Sequence, residues 1–119
     1  MEVHVLDNEH VIVQVSGDVE LPHVDELRAA IEDASGRAPE GFIIDMMGVQ
    51  YIDSAGISAL VLAYRRVCSS GGRLAVVISN KNVKRIILLT RLDTLPGLSV
   101  CDDMASAEQA IAEDVGRSV

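Results

Sequence analysis

Apolar and polar positions along the chain switch between a period of two and a period near 3.6. Val3-His4-Val5-Leu6 and Val11-Ile12-Val13-Gln14-Val15 are short β-branched runs separated by Asp7-Asn8-Glu9-His10, a pattern that predicts a two-stranded hairpin. Gly17 is expected to end the second strand, and Asp18-Val19-Glu20 leads to Pro22, whose missing N–H suits the first turn of a helix. Val24, Leu27, Ile31 and Ala34 then recur at helical spacing, with Asp25, Glu26, Arg28, Glu32 and Asp33 facing outward. Ser35-Gly36-Arg37-Ala38-Pro39-Glu40-Gly41 breaks that pattern. Phe42-Ile43-Ile44-Asp45 reads as a strand buried on both faces.

The second half repeats the alternation. A helix follows Tyr51-Ile52-Asp53-Ser54-Ala55-Gly56 and should end before Ser69-Ser70-Gly71-Gly72, where the glycine pair suits a C-cap and turn. Leu74-Ala75-Val76-Val77-Ile78 is another buried strand, and Ser79 or Asn80 caps a helix containing Val83, Ile86, Ile87 and Thr90. Leu98-Ser99-Val100 is a last strand. Met104 begins a terminal helix with Ala107 and Ile111 turned inward. Strands alternating with helices of this length predict an α/β layer fold: a mostly parallel five-stranded sheet with an N-terminal hairpin, packed against about four helices. Right-handed crossovers should carry the helices onto the sheet. With 119 residues and no linker, repeat or low-complexity segment, residues 1–119 are expected to form one domain.

Composition narrows the functional classes. The net charge of -8 argues against nucleic acid, whose binding needs a basic surface, and against an anionic membrane surface. It suits a protein that meets a basic patch on a partner. Aromatics make up only 3% of the residues, so Val, Ile, Leu and Ala must fill the core. Cys68 and Cys101 sit in apolar patterns without CxxC or Cys/His spacing, which predicts free buried thiols in a reducing compartment and no metal site. The acidic, alternating N-terminus is no signal peptide, and the longest apolar run is far short of the roughly 20 residues that span a membrane. A cytoplasmic protein without a cofactor is expected.

Ser54 is the residue with candidate chemistry, and three roles compete for it. An α/β-hydrolase nucleophile elbow requires G-x-S-x-G, but Ile52 stands where the first glycine belongs, and His4, His10 and His23 all precede the serine. No phosphate-cradling G-x-x-x-x-G-K-[ST] loop occurs either, so the chain is not expected to be an enzyme. Ser54 could cap the helix, a role Asp53 could fill equally well. The third role is a modification site. On a helical wheel Ile57, Leu60, Val61, Tyr64, Val67 and Cys68 form the expected core face. Ala55, Ala59, Leu62 and Arg66, flanked by Ser58 and Arg65, form an opposite stripe poor in charge that reads as a docking surface. A phosphate on Ser54 would be tolerated by the helix N-terminus yet would obstruct a partner on that stripe.

Residues 43–77, from Ile43-Ile44-Asp45 through Gly71-Gly72 to Val77, resemble the signature of STAS domains, specifically bacterial anti-sigma factor antagonists. Asp45, Gly48, Ile52, Asp53, Ser54, Gly56, Ile57, Leu60, Gly71 and Gly72 fill its places, Gly17 before Asp18-Val19-Glu20 resembles the family's G-E-L-D turn, and Val83-Lys84-Arg85 match on the third helix. The resemblance implies that Ser54 is phosphorylated by an ATP-binding anti-sigma serine kinase, which the unphosphorylated antagonist binds to free a sigma factor. A metal-dependent serine phosphatase then restores it. It further implies that Asp18 and Glu20 lie near the same end of the sheet as Asp53, Ser54 and Gly56, although Glu20 stands where the family usually has Asp. Arg91, in place of a frequent glycine, and the longer loop Thr94-Leu95-Pro96-Gly97 also depart from the pattern. Within the same fold the alternatives are an accessory subunit of a transporter ATPase and a component of a stress-sensing scaffold. Because the stripe could pair with itself, a monomer or weak homodimer is expected.

Overall fold

The computed structural model describes residues 1–7 and 9–112; Asn8 of the expected hairpin turn and the last seven residues of the expected 1–119 domain lie outside the described residues. Strand β1 (Glu2–Asp7) pairs antiparallel with β2 (Val11–Val19), and Val3 and Val5 pair with Val15 and Val13. Helix α1 (Val24–Arg37) then leads to β3 (Gly41–Ile52), α2 (Ser54–Ser69) to β4 (Arg73–Val77), α3 (Lys81–Leu89) to β5 (Leu98–Cys101), and α4 (Met104–Ala112) follows. The sheet order is β1-β2-β3-β4-β5, parallel throughout except for the first pair. The expected five-stranded, mostly parallel sheet with an N-terminal hairpin and four helices is therefore the observed architecture.

Two apolar layers flank the sheet, and period-two alternation assigns residues to them. On one side Phe42, Ile44, Leu74, Val76 and Ile78 pack with Leu27 and Ile31 of α1, Leu60 and Val67 of α2, and Val83 and Ile87 of α3. On the other, Ile43, Ala75, Val77 and Cys101 pack with Ala107 of α4. Full burial of side chains such as Leu27, Ile31 and Ile44 stabilises the fold by roughly 1.5–3 kcal/mol each. Of the two cysteines only Cys101 is buried, and burial pushes its thiol pKa up; Cys68 is exposed, contrary to the expectation of two buried thiols.

Three expectations about element ends are corrected. Helix α1 continues through Ser35 and Gly36 to Arg37, because Ser35 Oγ donates to the Ile31 carbonyl (2.8 Å) and Arg37 Nε to Asp33 (3.0 Å), holding the last turn together. Pro22 lies in a 3-10 turn (Leu21–His23) that precedes α1 rather than in the helix itself. Gly17 does not end β2. It takes φ +88° inside the strand, a conformation that L side chains rarely adopt, and the strand runs on to Val19.

That glycine sits at a double irregularity. Gln14 pairs with Asp45, Ser16 with Gly48 and Asp18 with Tyr51, so β3 gains a residue on β2 at each of two register shifts. Buried positions on β3 accordingly fall at Met46, Val49 and Ile52, every third residue, with the intervening side chains exposed. The strand is thus far longer than the Phe42–Asp45 run, and its irregular end delivers Ile52 and Asp53 to the start of α2.

Gly56 fixes how closely that helix can seat. A Cβ there would lie 2.6 Å from Ile52 Cγ1, 2.8 Å from Val19 Cγ1 and 3.0 Å from the Val19 carbonyl oxygen. Gly56→Ala should therefore destabilise the domain by about 1–3 kcal/mol through overpacking, although alanine is the better helix former. Urea denaturation of the two proteins checks this; equal midpoints would mean that α2 is not held against β2 and β3 as described.

Candidate functional site

Asp53, not Ser54, caps α2. Its backbone is extended (φ -107°, ψ -174°), and carboxylate oxygen Oδ1 accepts from the Gly56 N–H at 3.0 Å. The second oxygen, Oδ2, accepts from the Leu21 N–H at 3.0 Å, in the turn after β2. The Asp53 N–H in turn donates to the Val19 carbonyl at 3.1 Å. One residue thus stitches the end of β2 and the turn before α1 to the start of α2. Donation from Gly56, then from Leu21, holds the Asp53 carboxyl below the usual carboxylate range, so the site carries a fixed negative charge at neutral pH.

Ser54 is left free by that arrangement. It is the first residue of α2, is exposed, and its hydroxyl takes no part in the cap. Around it the register brings the end of β2 beside the end of β3: Asp18, exposed, pairs with Tyr51, and Val19 pairs with Ile52. Glu20, half-buried, precedes the 3-10 turn that holds Leu21. Asp18, Glu20, Asp53 and Ser54 therefore share one end of the sheet. Two large apolar side chains not anticipated from sequence join them, Leu21 (69% exposed) and Tyr51 (49% exposed). Tyr51 follows from the bulged pairing, whose period-three burial leaves it outward, and Leu21 opens the 3-10 turn, none of whose residues is buried.

The expected docking stripe on α2 is corrected by about a quarter-turn. Ala59 is fully buried, and Gly56, Leu60, Ala63 and Val67 complete the core-facing side. Ala59 therefore belongs to the core and is no surface contact; Gly56 is likewise buried. Arg66 extends to α1, with Nε 2.7 Å from Glu32 Oε1 and Nη2 donating to Glu32 Oε2 at 2.8 Å, so that end of the stripe is the helix–helix seam. Ala55 and Leu62 are half-buried, and Ser58 is exposed. The physical reason is size. Glycine and alanine let α2 approach its neighbours closely, so the expected core positions Leu60 and Val67 are buried, while Ile57, Val61 and Tyr64 are only partly buried at the edge of the core. Cys68 is also outside that core. Ile57, Ser58, Val61, Leu62 and Arg65 line a shallow groove of about 260 Å³ along α2 that begins three residues after Ser54.

Arg91, one of the expected departures from the family pattern, takes the left-handed conformation (φ 64°, ψ 23°) just after α3, where glycine is the usual residue. Asn80 supplies the α3 cap, accepting from the N–H groups of Asn82 (2.9 Å) and Val83 (3.1 Å), while Ser79 Oγ donates to the Met47 carbonyl at 3.0 Å. Among the described residues no group of three or more His, Cys, Asp or Glu is placed to hold a metal ion, and no helix is long and apolar enough to cross a membrane.

Comparison with known proteins places this geometry. The family described as "Mlab, STAS domain" matches residues 4–99, more than half of the chain. The chain belongs to the STAS domain family. Among named relatives, the anti-sigma F factor antagonist of Paenibacillus polymyxa is 27% identical over 82 residues, covering 68% of this chain and 70% of that protein. The crystal structure of an anti-sigma factor antagonist from Mycobacterium paratuberculosis superposes on this STAS domain with a TM-score of 0.81 at 26% identity, covering 93% of each chain. The unphosphorylated form of the anti-sigma factor antagonist SpoIIAA shares the fold, with a TM-score of 0.64 at 17% identity over 99% of this chain and 98% of that one.

The cap has a measurable signature. Because the folded-state pKa of Asp53 is depressed, its ionised form stabilises the STAS domain at and above the ordinary carboxylate pKa of 3.8. That stability is lost as the pH falls through the lower folded value. Asp53→Ala should lower the melting temperature at neutral pH, and the gap to wild type should narrow below 3.8. Thermal melts of both proteins across that range check it; a gap constant with pH would mean that the carboxylate charge contributes nothing to the cap.

Proposed function

We propose that this STAS domain is an anti-sigma factor antagonist acting as a binding switch. With Ser54 unmodified, it binds an ATP-binding anti-sigma serine kinase and so releases a sigma factor. Phosphorylation of Ser54 by that kinase ends the interaction, and a metal-dependent serine phosphatase restores it. The observation that carries this reading is the division of labour at the α2 N-terminus: Asp53 uses both carboxylate oxygens for the fold, and Ser54 keeps an exposed hydroxyl with no structural duty.

A phosphate at Ser54 would add about -1.5 to -2 charges at the positive end of the α2 dipole, which favours negative charge and leaves the fold intact. The same charge would sit beside Asp53, Asp18 and Glu20 and above the apolar groove of Ile57, Val61 and Leu62. A partner seated there would meet both repulsion and a strongly hydrated group. Binding is then lost without unfolding.

The test uses wild type and Ser54→Asp as paired baits in lysate of the native organism, with mass spectrometry of what each retains, followed by titration calorimetry with the captured kinase. The wild type should retain an ATP-binding anti-sigma kinase, Ser54→Ala should bind it comparably, and Ser54→Asp should bind at least about tenfold more weakly. Leu62→Glu and Ile57→Glu should weaken binding similarly; because both side chains also pack against the edge of the core, matching circular dichroism spectra must verify that the variants remain folded. A transporter ATPase retained equally by both baits would instead make the chain an accessory subunit and leave Ser54 without a switching role.

A further inference from the structure

The outer face of α3 lies apart from the Ser54 groove and carries chemistry that the switch does not use. Val83 and Ile87 take the core-facing positions of this helix, yet Leu88 (44% exposed) and Leu89 (75% exposed) remain in solvent. With Lys81, Lys84 and Arg85 these two leucines line a groove of about 320 Å³. Lys84 pairs with Asp102, whereas Lys81 and Arg85 make no ion pair among the described residues. Arg85 reaches only Asn82 Oδ1, at 3.5 Å.

The charge distribution makes this face stand out. Residues 81–91 contain Lys81, Lys84, Arg85 and Arg91 and no acid, so they contribute +4 to a chain of net -8, and all other residues together carry -12. Both lysines of the protein lie on this one helix. Two unpaired cations beside two exposed leucines match a surface that is acidic and apolar at once, with charge complementarity at the rim and leucine contacts at the centre.

We propose that the outer face of α3 docks an acidic amphipathic helix of a second protein, with Lys81 and Arg85 pairing its carboxylates and Leu88 and Leu89 packing on its apolar side. An anionic bilayer fits less well, because it would attract four residues while repelling the acidic remainder of a small domain within a few Debye lengths. A second copy of this chain brings net -8 against net -8.

The experiment is an NMR titration of the isotope-labelled chain with two synthetic helical peptides of identical leucine placement, one flanked by glutamates and the other by lysines. The glutamate peptide should shift the amide signals of Lys81, Arg85, Leu88 and Leu89, and the lysine peptide should not. The double variant Lys81→Glu/Arg85→Glu should weaken binding about tenfold or more, and high salt should weaken it in wild type. Leu89→Ser should weaken it in either salt condition. All these side chains are exposed, and matching circular dichroism spectra would verify that the variants fold. Ser54→Asp should leave peptide binding unchanged, which separates this surface from the switch. Equal affinity for both peptides, or shifts centred elsewhere, would overturn the proposal. So would binding of phosphatidylglycerol vesicles through α3 without peptide binding, or a sedimenting dimer abolished by Leu89→Ser.

Discussion

The two-way hold of the Asp53 carboxylate is the constraint on which the functional end of this domain depends. One oxygen closes the first turn of α2 and the other closes the turn after β2. Two segments that are distant in sequence are thereby fixed against each other at the carboxyl ends of the strands, where parallel α/β sheets leave room for ligands and partners. With the capping duty met by its neighbour, the Ser54 hydroxyl takes no part in the cap and is exposed. A single hydrogen-bonding arrangement thus sets rigidity, fixed negative charge and an exposed hydroxyl side by side.

Much of the fold follows from apolar periodicity. The strands and helices from Val3 to Ile111 were expected in their observed order, and the α1 core positions Val24, Leu27, Ile31 and Ala34 are all buried. The end of β3 was hidden for a definable reason. Two bulges convert its burial period from two to three, so Met46, Val49 and Ile52 match neither a strand nor a helix template. Gly17 gave a related false signal: a glycine inside a bulged strand looks like a strand end unless the pairing partner is known.

The α2 helix teaches a different lesson. Hydrophobic spacing marks two apolar stripes on it, and bulk alone suggests that Ile57 and Val61 face the core. Packing selects an intermediate solution: Gly56, Ala59 and Ala63 bring the helix close to the layer beneath it alongside the expected Leu60 and Val67, and the half-buried Ile57 and Val61 line the groove at the edge of that core. The buried side of α2 is therefore rotated from the one expected and takes in Gly56, Ala59 and Ala63. Ser54, Ser58 and Leu62 belong to the exposed side or its border, while Ala59 does not.

The central claim is that a phosphate on Ser54 acts on the interface and not on the fold. Its most direct test is calorimetry on protein carrying phosphoserine at position 54, comparing both the melting transition and the affinity for the anti-sigma kinase with those of the unmodified chain. The account predicts a melting temperature within about 4 °C of the unmodified value together with a loss of affinity of at least about a hundredfold. Unchanged affinity would contradict it, and so would a loss of affinity accompanied by unfolding.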